Sequence, residues 1–203
     1  MADISEAEVL AEFRAAGALL QGHFVLTSGL HSPYYLQCAR VLMDPARAAR
    51  LVEALARRVA SLEPDVVVAP ALGGIVLGYE IARQLGRPSL FVERVEGSFT
   101  LRRGFEIPSG SRVIVAEDVI TTGLSTRECM ACCRAHGGTV IGVACLVDRS
   151  AGKADLGVPL VCLATLDLPT YPQHKLPPEL AALPAVKPGS RGLDARGGEP
   201  PPS

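Results

Sequence analysis

Residues 113–126 read VIVAEDVITTGLST. The stretch begins as a buried strand, passes through two adjacent acids, Glu117 and Asp118, and enters a loop rich in hydroxyl groups and glycine, with a helix beginning near Ser125. Because the first N–H groups of a helix lack intrahelical partners, such a loop forms an anion site. Carboxylates beside this anion site would repel a phosphate unless they bind hydroxyl groups or a metal on the same ligand. The pattern predicts a sugar-phosphate site; a plain helix N-cap after two solvated acids is the alternative.

Length and charge narrow the class of protein. The 203 residues suffice for one α/β domain with a substantial core. A formal net charge of −1 provides no basic field for nucleic acid or an anionic membrane. The longest apolar run, residues 66–79, contains a proline and a glycine pair and is shorter than the roughly 18 residues that span a bilayer. No signal-peptide pattern is visible, so we expect a cytoplasmic enzyme that binds neither nucleic acid nor membrane.

Apolar runs typical of buried strands alternate with helical patterns. Strands are predicted over residues 66–69, 89–93, 113–116, 140–147 and 160–166, and helix starts at Ser5, Asp44, Gly74 and Ser125. This alternation predicts a doubly wound, mostly parallel sheet with right-handed crossovers. From residue 187 to residue 203, proline, glycine and charge replace apolar residues, which predicts a disordered tail.

Two further loops follow predicted strands. Leu72, Gly73 and Gly74 precede a helix and form either a second anion site or a tight turn, and Asp148 and Arg149 follow the strand over 140–147. In open α/β sheets ligands bind at the carboxyl ends of strands. We therefore expect both loops to lie near the acid pair.

The motif over residues 113–126 resembles the phosphoribosyl-pyrophosphate motif of type I phosphoribosyltransferases. In that family the acids hold the ribose 2′- and 3′-hydroxyls, the following loop binds the 5-phosphate, and a pyrophosphate loop, which often contains a non-proline cis peptide, lies where Gly73 stands. The resemblance implies that family's fold, as a single domain over 1–186 with a small N-terminal hood over about 1–43. It also implies a set of residues that bind phosphoribosyl pyrophosphate (the donor). These are Glu117, Asp118, Val119, Ile120, Thr121, Thr122, Gly123, Leu124, Ser125, Arg94, Leu72 and Gly73.

Other segments resemble the orotate phosphoribosyltransferases. LTSGLHSPYY, residues 26–35, is similar to their SGxxSPYY signature, and Arg149 occupies the place of an arginine that meets the orotate carboxylate. The resemblance implies orotate contacts from Thr121, Arg149, Tyr34 and Tyr35. A guanidinium suits that task because it pairs with a carboxylate through two hydrogen bonds. Tyr34 and Tyr35 as core aromatics, and Arg149 as an exposed charge at a strand end, are the alternatives.

Residues 94–110 carry charges and glycines, which predicts a mobile loop or loose hairpin that closes over a ligand. In the family this loop is catalytic and reaches the neighbouring subunit, so the resemblance implies a homodimer. Here the loop has neither lysine nor histidine. Because arginine stays charged and is a poor proton donor, we assign Arg102 and Arg103 as electrostatic clamps beside catalytic Asp118 and leave any general acid unassigned. We expect Mg²⁺ mainly on substrate oxygens, with no assigned protein ligand.

Six cysteines are expected to be reduced thiols. Cys129, Cys132 and Cys133 have part of a zinc-site spacing, but no second pair follows, so small core residues are the favoured interpretation.

The resemblance implies transfer of a phosphoribosyl group to N1 of orotate, giving orotidine 5′-phosphate and diphosphate in pyrimidine biosynthesis. Two alternatives stay open: a purine phosphoribosyltransferase, and a non-catalytic sensor of the donor. The segment before Gly22 has no basic recognition surface, which argues against a DNA-binding sensor.

Overall fold

A computed structural model describes residues 3–26 and 28–188. Within them the chain divides into two compact units. The first consists of residues 3–18 and 37–167, and the remaining described residues form the second. The predicted single domain and its hood boundary remain predictions.

Helices and strands alternate along the first unit, as the sequence pattern predicts. Among the described residues the helices are α1 (Glu6–Ala15), α2 (Ala39–Leu42), α3 (Pro45–Ala60), α4 (Gly74–Leu85), α5 (Leu124–Ala135) and α6 (Pro178–Ala181), with a 3₁₀ turn over Gln173–Lys175. The strands there are β1 (Leu19–Val25), β2 (His31–Leu36), β3 (Val66–Pro70), β4 (Ser89–Val95), β5 (Ser98–Leu101), β6 (Arg112–Ile120), β7 (Thr139–Asp148), β8 (Leu160–Thr165) and β9 (Ala185–Val186).

Within residues 66–165, six strands form the main sheet, in the order β5-β4-β3-β6-β7-β8. Neighbouring strands pair in parallel, except that β4 and β5 form an antiparallel hairpin. The strand that carries the acid pair, β6, lies between β3 and β7, and its residues 113–116 are fully buried. The predicted mostly parallel sheet is confirmed.

Helices cover both faces of β6. Val115 shares a hydrophobic cluster with Cys129 and Met130 of α5. The next residue, Ala116, faces Gly78 of α4, and its Cβ lies 3.6 Å from the place that a Cβ on this glycine would take. Successive side chains of a strand point to opposite faces, so α5 and α4 pack on opposite sides of the sheet. This arrangement is the predicted doubly wound fold.

Local hydrogen bonds explain where two helices begin. Ser5 and Glu8 form a reciprocal capping box, in which the N–H of Ser5 donates to Glu8 Oε2 at 2.8 Å and the N–H of Glu8 donates to Ser5 Oγ at 3.3 Å. Asp44 caps α3, where its Oδ1 accepts two N–H groups of the first turn at 3.0 and 3.1 Å. Both predicted starts are confirmed.

The predicted loop or loose hairpin over residues 94–110 begins as a hairpin. Glu96 and Gly97 form its two-residue turn, with φ of 49° and 88°. Such a turn needs positive φ at both positions, because only then does its twist match that of the strands. After β5 the chain continues without helix or strand from residue 102 to residue 111.

The second unit contains a small sheet in the order β2-β1-β9. β1 pairs antiparallel with β2 and parallel with β9, and Tyr171 forms a bridge with His31. The parallel pairing of β1 with β9 was not predicted from the sequence. A two-residue strand has too short a pattern to be recognised in a sequence.

Two buried histidines join the strands of the small sheet. His23 Nδ1 donates to the carbonyl oxygen of Leu183 at 2.9 Å, and its Nε2 lies 2.6 Å from Nδ1 of His31. The hydrogen bond to Leu183 connects β1 with the chain just before β9.

All six cysteines lie in the described part of the chain and are free thiols. Cys129, Cys132 and Cys133 lie on α5 and are buried in the hydrophobic cluster that includes Val115, as the core interpretation predicts. No helix within residues 3–26 or 28–188 is long and apolar enough to cross a membrane. Of the tail predicted over residues 187–203, residues 189–203 lie outside the described residues.

Candidate active site

The acid pair lies at the carboxyl end of β6. Glu117 is buried, with 7% of its surface exposed, and Oε2 accepts the hydroxyl hydrogen of Ser125 at 3.0 Å. Burial, followed by the charge of neighbouring Asp118, raises the pKa of Glu117 to about 8. The Asp118 side chain is half-buried, and burial raises its pKa as well. A solvated helix cap would not raise the pKa of both carboxyls, so the burial of the pair argues against that alternative.

The hydroxyl-rich loop runs directly from the acid pair into α5. Thr121 and Thr122 are exposed, and Gly123 has a φ of 73° at the N-cap of the helix. The exposed Leu124 forms the first position of α5, and its N–H donates to Thr122 Oγ1 at 3.3 Å. Arg127 braces the loop, because its Nη2 donates to the carbonyl oxygen of Thr122 at 2.9 Å. Exposed hydroxyls therefore surround the positive end of a helix, which suits a phosphate.

The glycine loop between β3 and α4 borders the acid pair. A Cβ placed on Gly73 would lie 3.1 Å from Oδ2 of Asp118, and one on Gly74 would lie 2.7 Å from the carbonyl oxygen of Ala116. The peptide bond between Ala71 and Leu72 is cis, and the Leu72 side chain is exposed. The two glycines let this loop approach the end of β6, an approach that side chains would obstruct.

The third loop follows β7. The N–H of Arg149 donates to the carbonyl oxygen of Ile120 at 2.7 Å, so this loop lies beside the end of β6. The Arg149 side chain is half-buried. The structure therefore brings together the three loops predicted to converge.

Cys38 is a neighbour of this site that the sequence did not reveal. Its thiol donates a weak hydrogen bond to the carbonyl oxygen of Asp118, with 3.8 Å between the atoms. Burial, and then the charge of Asp118, raise the pKa of Cys38, whereas the Arg149 guanidinium lowers it. The thiol therefore lies against the main chain of the acid pair. In the sequence, Cys38 was one of several cysteines in apolar surroundings.

Two arginines of the hairpin segment form ion pairs with acids other than Glu117 and Asp118. Arg94 pairs with Glu128 and lies over the Phe99 ring, 4.3 Å from its centroid. Arg103 makes a bidentate pair with Glu93, with N–O distances of 2.8 and 2.9 Å. Two strands, β4 and β3, separate β5 from β6, which corresponds to roughly 14 Å at the usual strand spacing.

Arg102 is exposed in the segment after β5. The ion pair described for Arg103 is with Glu93, and the role of Arg102 and Arg103 as clamps stays a prediction.

Tyr34 and Tyr35 lie on β2, in the second unit, and both are half-buried. The Tyr35 ring packs against Phe24 with 5.6 Å between centroids. Their predicted contact with orotate stays a prediction.

Comparison with known proteins identifies the class. A sequence profile of the family described as "Phosphoribosyl transferase domain" matches residues 40–163. The chain therefore belongs to the phosphoribosyltransferase family. Relatives that it matches over most of its length place it within the orotate phosphoribosyltransferases.

Two of these relatives and one solved structure show the extent of the similarity. The chain is 58% identical over 189 residues to "Orotate phosphoribosyltransferase" of Methylorubrum populi, which covers 92% of this chain and 96% of the relative. It is 60% identical over 189 residues to the protein of the same name from Maricaulis maris, covering 92% and 97%. The crystal structure of orotate phosphoribosyltransferase from Aeropyrum pernix matches with a TM-score of 0.67 and 30% identity, over 78% of this chain and 93% of that one.

Proposed function

We propose that this chain transfers the 5-phosphoribosyl group of 5-phospho-α-D-ribose 1-diphosphate to N1 of orotate, giving orotidine 5′-phosphate and diphosphate. The observation that carries the proposal is the convergence of three loops at the ends of β3, β6 and β7, around an acid pair of which Glu117 is buried and Asp118 half-buried. The pair directly precedes a hydroxyl-rich helix N-terminus. A ligand with a phosphate at one end and vicinal hydroxyls in the middle matches this order of groups.

The donor would bind along the loops of β6 and β3. Residues 121–125 would hold the 5-phosphate through hydroxyls and the free N–H groups of α5. Glu117 and Asp118 would accept hydrogen bonds from the ribose 2′- and 3′-hydroxyls. The backbone around Leu72 and Gly73 would face the diphosphate, because Gly73 borders Asp118 without an intervening side chain.

Orotate would bind next to the ribose C1, on the side of β7. Arg149 would pair with its carboxylate. Thr121, the first hydroxyl residue after the acid pair, would contact the ring. A bidentate guanidinium pair fixes the plane of the substrate as well as its charge. Contacts from Tyr34 and Tyr35 stay predictions that rest on the resemblance alone.

In the transfer, the N1–C1 bond forms as the bond from C1 to the diphosphate oxygen breaks, and diphosphate leaves with both electrons. The proton of orotate N1 passes to water, and no protein group is assigned to take it. Positive charge develops on the ribose in the transition state. The carboxylates of Glu117 and Asp118 would stabilise that charge, and the three loops would hold N1 and C1 in line. The reaction requires no protein nucleophile.

We propose Mg²⁺ as the metal of the reaction. Among the residues that the structure describes, no group of three or more His, Cys, Asp or Glu side chains is arranged to hold a metal ion. Mg²⁺ commonly keeps few protein ligands, so we propose that the ion would be held mainly by oxygen atoms of phosphoribosyl pyrophosphate. When bound, the ion would neutralise charge on the leaving diphosphate.

A homodimer would allow arginines of one subunit to reach the diphosphate bound in the other. Arg94 lies on β4, and Arg102 and Arg103 follow β5, which two strands separate from β6. We propose that the hairpin segment serves the site of a neighbouring subunit, where the arginines would balance the charge of the diphosphate. A cytoplasmic location stays the prediction made from the sequence.

The direct test is an ultraviolet assay of orotate consumption with the donor and Mg²⁺, with orotidine 5′-phosphate and diphosphate identified as products. Hypoxanthine and adenine are tested in parallel. Consumption of a purine instead of orotate would replace the proposal by a purine phosphoribosyltransferase. Binding of the donor without turnover of any base would indicate a sensor.

A further inference from the structure

The carboxylate of Asp148 is buried and has no part in the transfer step. Asp148 is 3% exposed and ends β7. Its Oδ1 accepts the N–H of Ser150 at 2.7 Å, and its Oδ2 accepts the N–H of Gly152 at 3.1 Å. Both oxygens therefore bind the main chain of the loop that begins with Arg149, and these charge-assisted bonds compensate the carboxylate for its lost water.

The main chain around Arg149 is held from three directions. The N–H of Arg149 donates to the carbonyl oxygen of Ile120 at 2.7 Å, and the carbonyl oxygen of Asp148 accepts the N–H of Leu166 at 2.8 Å. Those two bonds use backbone atoms, which most residue types at these positions would supply. The restraint on the residue after Arg149 comes from the Asp148 side chain and depends on its identity.

The loop also contains backbone conformations that need support. Ala151 has a φ of 53° and Gly152 a φ of 76°. A positive φ is unfavourable for alanine, because its Cβ crowds the backbone. The two bonds of Asp148 hold the residues on either side of Ala151, so the path of the loop depends on them.

We propose that Asp148 is a positioning residue that orients the Arg149 guanidinium toward the orotate carboxylate; the proposal rests on the function proposed above. Bidentate pairing needs a fixed plane and direction, and small displacements of such a group weaken it. Asp148 fixes the main chain from which the guanidinium extends.

The negative charge of Asp148 would weaken orotate binding, whereas its positioning of Arg149 would strengthen it. A carboxylate near the orotate site repels an anionic substrate, so removing the charge alone would strengthen orotate binding. Asp148→Asn separates the two effects, because asparagine has nearly the same shape but only one acceptor oxygen, and its NH₂ would face an N–H donor. Positioning predicts weaker orotate binding in this variant, and electrostatics alone predicts stronger binding.

The experiment measures KM for orotate and for the donor, kcat and Tm in Asp148→Asn, Arg149→Ala, their double variant and Asp155→Asn. The last is the matched control, since Asp155 Oδ1 accepts the N–H of Gly157 at 3.0 Å further along the same loop. Loss of one charge-assisted bond should raise the orotate KM about tenfold in Asp148→Asn, with the donor KM changed less than about twofold. The double variant should bind orotate no more weakly than Arg149→Ala, because the two residues act through one group.

An orotate KM that is unchanged or lower in Asp148→Asn, while Arg149→Ala raises it, would overturn the inference and leave the proposed function intact. An equal rise in both KM values, or a loss of Tm alone, would overturn it in favour of a structural role. Absence of orotate turnover by the unmodified chain would overturn the proposed function itself. If Asp148→Asn does not fold, Asp148→Ser is read in the same assay, and failure of both to fold would assign Asp148 to the fold and overturn the inference.

Discussion

The hydroxyl of Ser125 donates to Oε2 of Glu117 over 3.0 Å, and this bond joins the first turn of α5 to the end of β6. It lowers the pKa of Glu117, but burial and the charge of Asp118 outweigh it and raise that pKa to about 8. The group proposed to hold the ribose is therefore mostly protonated at neutral pH before the donor binds.

The rate should consequently depend on pH near 8. A raised pKa means that Glu117 gains its negative charge as the pH rises through about 8. The carboxylate is the better acceptor for ribose hydroxyls and the better partner for developing positive charge, so kcat/KM for the donor should rise through this range. This parameter reports ionisation in the free enzyme. Glu117→Gln should lose the rise, and a flat profile between pH 7 and 9 in the unmodified chain would refute the role of Glu117.

Asp118→Asn should lower kcat by about 100-fold, the usual effect of removing one group that stabilises transition-state charge. Because the charge of Asp118 raises the pKa of Glu117, the remaining pH dependence should also move to lower pH. Circular dichroism and Tm should show an intact fold. Undiminished turnover would remove Asp118 from the site.

Arg149→Ala should raise the KM for orotate by about tenfold or more while the donor KM changes little, because a charged hydrogen-bonding partner is lost from one substrate only. Arg149→Lys should recover part of the affinity, since lysine keeps the charge but not the fork. Steady-state kinetics with each substrate varied in turn gives the comparison. Equal effects on both substrates would deny Arg149 a role with the pyrimidine.

Gly73→Ala should reduce donor use without unfolding the chain. The new Cβ would lie 3.1 Å from Oδ2 of Asp118, and the φ of Gly73 is −57°, which alanine adopts easily. The carboxylate must therefore shift, and we expect the donor kcat/KM to fall about tenfold, as small misplacements of reacting groups can do.

Gly86→Ala is the matched control for that variant. Gly86 has a φ of 64° and no atom near the place of a Cβ, so the substitution should cost about 1 kcal/mol in stability and leave kinetics unchanged. If Gly73→Ala behaves like this control, the contact between the glycine loop and Asp118 does not affect use of the donor.

Mixed dimers test whether the hairpin acts in the neighbouring subunit. Arg103→Ala and Asp118→Asn should each be nearly inactive alone. In a heterodimer of the two, one site would combine an intact acid pair with an intact loop from its neighbour, so random mixing should restore about one quarter of the activity. No recovery after verified subunit exchange would mean that each loop serves its own chain.

Sequence reasoning worked where the signals are local. The capping box at Ser5, the cap at Asp44 and the apolar run before Glu117 depend on neighbours in the chain, so they identified elements, and the alternation of strands and helices predicted a mostly parallel sheet. The parallel register then placed the glycine loop and Arg149 at the same end as the acid pair.

Residues that are joined only by the fold were not predictable. Nothing near Cys38 or Arg127 in the sequence indicates that the first contacts Asp118 and that the second binds the carbonyl of Thr122. The pairing of Arg103 with Glu93 depends on the return of the hairpin, whose turn was not identified.

The four-residue strand β5 pairs with β4 and stands first in the strand order of the main sheet, away from the parallel strands that carry the acid pair. Segments in such a position tolerate replacement, because their loss leaves the buried strands paired. The β5 side of this hairpin could therefore be exchanged between relatives. Such chimaeras would vary the side chains of the hairpin segment while the loops of β3, β6 and β7 stay the same.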